Sequence, residues 1–88
     1  VNTNQYAQNQ LPAFSHLRKL IQVASIETGQ IISVRQSKQI AGWMLNYADY
    51  YVAYMYSDPT GEKATARALA DYYRNMRDEP ELEQAVSL

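Results

Sequence analysis

Residues 40–56 read IAGWMLNYADYYVAYMY. Stepped at about 100° per residue, this stretch gathers Trp43, Tyr47, Tyr51 and Tyr54 around Ile40. Ala41, Leu45, Ala48, Val52 and Tyr56 lie on one flank and Tyr50 on the other. Gly42, Asn46, Asp49, Ala53 and Ser57 fill the remaining stripe, which is small or polar throughout. The apolar arc covers roughly two-thirds of the circumference, against the ~100° stripe with which a surface helix faces a single core. Such a helix must be covered on more than one side.

Upstream, the periodicity extends the helix back to about residue 34, giving a long middle element over 34–57 that serves as the spine of the fold. Ser33 is placed to cap it by accepting a backbone N–H from Arg35 or Gln36. Gly42 lies in its interior, where glycine costs about 1 kcal/mol relative to alanine. Close approach of another backbone is the expected reason for it.

Downstream, Ser57-Asp58-Pro59-Thr60-Gly61 is a break, with Asp58 suited to open a turn or to cap the next helix. A third helix is expected over 60–78, antiparallel to the second. Ala64, Ala66, Ala68 and Ala70 permit close packing, and Leu69, Tyr72, Tyr73 and Met76 supply bulk. Arg67, Asp71, Arg74 and Asp78 alternate in sign along one face, which suits a solvated stripe. Pro80 ends the helix, and residues 81–88 have the pattern for one more short turn.

The first helix is expected over 12–28. Pro12 suits a first helical position, and Phe14, Leu17, Leu20, Ile21 and Ala24 recur at three- and four-residue spacing. Gly29 is placed to close it in a left-handed conformation. Ile31, Ile32 and Val34 are β-branched, but no second strand exists for them to pair with. They read as an extended connector whose isoleucines plug the core. Residues 1–10 hold three Asn, three Gln and one Thr, with Val1 and Ala7 their only aliphatic side chains. That composition buries too little apolar surface to offset chain entropy, so a flexible tail is expected there, followed by a single helical domain over 11–88.

The fold class is therefore all-α: a small three-helix bundle, with a short fourth helix as an option, around a long central helix. At 88 residues the chain buries only about 60–65% of its unfolded surface. With no cysteine, disulfides and thiolate-held metals are excluded as supports. Stability must come from helix packing or from association. The absence of cysteine also fits a reducing compartment, and a cytoplasmic location is the expectation. No apolar run reaches ~18 residues, so no membrane span is expected, and VNTNQYAQNQ lacks the regions of a signal peptide.

The chemistry-bearing residues are sparse. His16 is the only histidine and stands beside Arg18 and Lys19 with no nucleophile or orienting acid near it in sequence. One His and no Cys cannot build a transition-metal shell. Asp78, Glu79, Glu81 and Glu83 lack the glycine and spacing of a calcium loop. Gly61-Glu62-Lys63 has no phosphate-loop glycines before it. No enzyme activity, metal or cofactor is expected.

Two binding classes remain. Eight tyrosines stand against one phenylalanine. A core built for packing alone favours Phe and Leu, because each buried hydroxyl wants a partner. Tyrosine and tryptophan suit interfaces, where the ring is buried and its polar tip stays near water. Trp43, Tyr47, Tyr50, Tyr51, Tyr54, Tyr56, Tyr72 and Tyr73 are the candidate interface, and the expected partner is a protein: a second copy or a larger assembly. The alternative is a helix-turn-helix-like nucleic-acid domain that presents Arg35, Gln36, Lys38 and Gln39 from the start of the second helix. A net charge of −1 opposes it, because phosphate attraction dominates most nucleic-acid binding. The charge is uneven: residues 1–46 carry +4 and −1, and residues 47–88 carry +4 and −8. Ordinary scatter accounts for such an imbalance; the functional reading is a polar molecule whose two ends attract each other between copies.

Overall fold

Ser33 fixes the start of the middle segment by reciprocal bonding. Its Oγ accepts from the Gln36 backbone N–H at 3.1 Å, and the Gln36 side chain accepts from the Ser33 N–H at 3.1 Å. This capping box satisfies two donors that a helix start leaves without partners. A computed structural model of the chain describes residues 3–78, with side chains described for 3–75. Its helices are α1 (Thr3–Gln8), α2 (Phe14–Glu27), α3 (Val34–Asn46), α4 (Ala48–Tyr51) and α5 (Glu62–Asp78), with a single 3₁₀ turn over Val52–Met55. The fold is all-α, and the described residues contain no strand. The short turn expected over 81–88 lies outside the described residues.

α2 begins two residues after Pro12 rather than at it. It ends as expected, with Gly29 at φ 78°. Gln30 N–H bonds Ser25 O at 2.8 Å and Gly29 N–H bonds Ile26 O at 3.1 Å, the paired closing bonds of a left-handed helix terminus. In the connector only Ile32 plugs the core; Ile31 is 81% exposed.

The long central helix of the sequence reading is two helices with a break at Tyr47, whose backbone sits at φ −119°, ψ 36°. In a continuous helix the Asp49 N–H would bond the Leu45 carbonyl four residues back. Here the Leu45 carbonyl accepts instead from Asn4 Nδ2 at 3.0 Å and Gln8 Nε2 at 2.7 Å, while Asp49 N–H donates to Asn4 Oδ1 at 3.1 Å. A side-chain amide has entered the helical hydrogen-bond ladder, a recognised cause of sharp kinks. The same bonds correct the reading of residues 1–10. The stretch expected as a tail folds as α1 and packs on α4. Its amides supply the donors that compositional reasoning counted only as unfavourable to burial.

The core is built by α2 packing on α3 and α5, and α3 on α5. Leu17, Ile21, Ile40, Ala41, Met44, Ala64, Ala68 and Leu69 fill it. A smaller cluster of Ala7, Leu11 and Ala48 seats α1, with Leu45, Val52 and Met55 against it. α1 thus covers part of the apolar arc that the other helices leave open. Gly42 has open space rather than a neighbouring backbone where its side chain would be, so the expected close approach is absent. The close approach occurs at Gly61, φ 88°, where an added Cβ would lie 3.1 Å from Leu20 Cδ1 and 3.3 Å from Pro12 Cγ. Asp58 caps α5: its Oδ2 accepts from Lys63 N–H at 3.1 Å and its Oδ1 from Thr60 N–H at 3.1 Å. The Thr60 hydroxyl, followed by these backbone donors, holds the Asp58 carboxyl below its usual pKa.

Candidate protein-interaction face

The break at Tyr47 determines which rings point inward. Trp43 comes from the last turn of α3, Tyr47 occupies the break, and Tyr50 and Tyr51 follow on α4. Across from them α5 presents Arg67, Asp71, Arg74 and Asn75, spaced so that all fall on one helical face. Together these eight residues line an open cleft of about 330 Å³.

A hydrogen-bond chain forms its floor. Trp43 Nε1–H donates to Tyr51 Oη at 2.8 Å, and Tyr51 Oη–H donates to Asp71 Oδ2 at 2.9 Å. Tyr51 is 2% exposed, so both partners are needed to satisfy its buried hydroxyl. Burial above all drives the Tyr51 pKa far above its usual value; the Trp43 hydrogen bond opposes it, and the Asp71 carboxylate adds to the rise. Asp71 Oδ1 meets Arg67 Nε at 3.2 Å and Arg74 Nη2 at 3.9 Å. The Arg67 approach is an ionic contact out of line for a hydrogen bond. Asp71 thus joins the Tyr51 hydroxyl to the two arginines of α5.

The rim is aromatic. Tyr47 is 52% exposed and Tyr50 48%. Trp43 and Tyr47 tilt together at 5.0 Å between ring centroids, and Tyr50 meets Tyr51 edge-on at 5.0 Å. Tyr50 and Tyr54 hydroxyls stand 3.4 Å apart, and that bond leads the causes that raise the Tyr54 pKa.

The eight interface candidates thus divide. Trp43, Tyr47, Tyr50 and Tyr51 come together at the cleft, with Tyr54 against Tyr50. Tyr51 and Tyr72 are core residues; Tyr72 donates its hydroxyl to Gln39 Oε1 at 3.2 Å. Tyr73 is half-buried, edge-on to Tyr72. Tyr56 is exposed in the turn beyond the 3₁₀ segment. Sequence reasoning missed Arg67, Asp71, Arg74 and Asn75 as cleft residues. Their alternating charge was the only signal, and it suits a solvated stripe equally well.

Of the four residues in the nucleic-acid reading, Gln36 is engaged in the capping box and Gln39 with Tyr72. Arg35 and Lys38 are exposed. Among the described residues no group of three His, Cys, Asp or Glu is placed to hold a metal, and no helix is long and apolar enough to cross a membrane. Comparison with known proteins gave no matching family model, curated protein or solved structure.

Proposed function

We propose that the chain is a non-enzymatic protein-interaction module whose copies associate through the cleft between α3–α4 and α5. The observation that carries this reading is the placement of Tyr47 and Tyr50, both half-exposed, at the rim of a cleft that Trp43 and Tyr51 also line. Rings held by neighbouring rings and by a bonded floor lose little rotamer freedom on docking, which favours them as anchors. Covering the open half of one such ring removes about 100 Å² from water and contributes roughly 2.5 kcal/mol before ordering costs. Two rings therefore anchor an interface without completing it. A stable contact needs about 1,000 Å² in total, so surface around the cleft takes part as well.

Trp43 is the sole tryptophan and lies in the cleft, so its emission reports occupancy directly. On dilution of the protein, its emission is expected to shift to the red as the cleft opens to water. The shift should follow a saturable concentration curve. Emission independent of concentration contradicts association through this face. A monomer that instead shifts an oligonucleotide, with weakening on added salt, supports the Arg35 and Lys38 surface.

A further inference from the structure

The cleft has a charge preference as well as an aromatic wall. Its lining holds Arg67 and Arg74 against Asp71, which leaves one positive charge over. Arg67 is the closer partner of Asp71, at 3.2 Å against 3.9 Å for Arg74. The Arg74 side chain is also 57% exposed, so Arg74 is the cation with most of its hydrogen-bonding capacity toward solvent. A polyphosphate chain needs several cations in a row, and one surplus guanidinium does not supply them. The chemistry that fits is a short peptide segment with carboxylates on either side of an apolar side chain. The apolar group would lie against Trp43 and Tyr47 while a carboxylate forms a bidentate pair with Arg74.

The sequence contains one such segment. Residues 79–83 read EPELE, three carboxylates alternating with Pro80 and Leu82, and no basic residue follows Arg77. We infer that residues 79–83 of one copy occupy the cleft of a second copy, with Leu82 on the Trp43–Tyr47 wall and a flanking glutamate on Arg74. This inference rests on the self-association reading and names the segment that does the docking. The second copy is the better host than the chain's own cleft. α5 stays helical through Arg74 to residue 78, so in its own chain the segment is tethered to that helix end, a constraint that a second copy's cleft does not impose.

The contact is heterologous: the segment and the cleft are different surfaces, so it need not close into a ring. Mass should keep rising with concentration instead of stopping at a dimer, and added salt should weaken the exposed Arg–Glu pairs.

Charge exchange in the full chain tests the seating. Arg74→Glu reverses the cleft, and Glu81→Lys with Glu83→Lys reverses the segment. Arg74 is exposed, and circular dichroism confirms retained helix in every variant before masses are compared by light scattering. Each variant alone is expected to associate at least tenfold more weakly than wild type. An equimolar mixture is expected to recover, because each variant then offers a matched surface to the other. Should either variant alone match wild type, or the mixture remain dissociated, the seating is wrong. If the charge variants match wild type while Tyr47→Ser with Tyr50→Ser dissociates, the aromatic reading stands and only the segment is misassigned. A wild-type chain that stays monomeric at every concentration removes both.

Discussion

Asn4 Nδ2 donates to the carbonyl of Leu45 at 3.0 Å, joining residues 41 positions apart. With Asn4 Oδ1 accepting from Asp49 N–H, one side-chain amide replaces the backbone bond that would have run straight from Leu45 to Asp49. The kink that turns Tyr51 inward, and leaves Tyr47 and Tyr50 at the rim, is held by a residue from the other end of the chain.

Replacing this amide should therefore be felt beyond α1. Asn4→Ala removes both of these hydrogen bonds, among its contacts, and is expected to destabilise the fold by about 1–2 kcal/mol or more in urea unfolding. Hydrogen exchange at the Asp49 amide should become faster. An unchanged unfolding midpoint would show that the bonds contribute nothing to holding the break.

Tyr51→Phe keeps the ring and deletes the hydroxyl that joins Trp43 to Asp71. The buried face of the cleft floor then holds a Trp43 donor and an Asp71 oxygen without their partner. The expected loss is about 1–3 kcal/mol, with a change in Trp43 emission in the folded protein. Tyr47→Phe, at an exposed site, should change stability by less than about 0.5 kcal/mol.

The same hydroxyl makes stability fall at alkaline pH. Tyr51 is neutral in the fold, and its pKa is raised above the ordinary value of 10.0. Its contribution is complete below that value. As pH rises past it, the unfolded chain ionises and the folded chain does not, so the contribution is lost progressively towards the folded pKa. Urea midpoints measured from pH 9 upward should decline more steeply in wild type than in Tyr51→Phe. Parallel declines would contradict a neutral, buried Tyr51.

The two glycines have opposite expectations. Gly42 is helical with nothing within 4 Å of an added Cβ, so Gly42→Ala should stabilise by about 0.5–1 kcal/mol. Gly61→Ala must hold a left-handed backbone and press on Leu20 and Pro12, which should destabilise by about 1–2 kcal/mol or more. Thermal melts that rank the variants the other way would overturn both arguments.

What the sequence disclosed was local. Ser33 with Gln36, Gly29 after its helix, and Asp58 before Lys63 are each readable within a few positions, because caps and turns are settled by neighbours along the chain. The break at Tyr47 was not readable, since its cause lies at Asn4 and Gln8. Once the helix is taken as continuous, Tyr47 and Tyr51 share one face of the wheel. The kink separates them into a rim residue at 52% exposure and a buried one at 2%. Asp71 was hidden differently: its helical spacing to Arg67 and Arg74 fully accounts for it as a surface ion pair, and only the Tyr51 hydroxyl arriving from α4 makes it part of a floor.

The account turns on whether half-exposed Tyr47 and Tyr50 meet another copy. Molar mass by light scattering, measured across a concentration series for wild type and for Tyr47→Ser with Tyr50→Ser, tests this most directly. The wild-type mass should rise with concentration, and the double variant, equally helical, should stay at the 10.1 kDa of one chain. A wild-type mass fixed at one chain throughout, or a double variant that associates as wild type does, would contradict it.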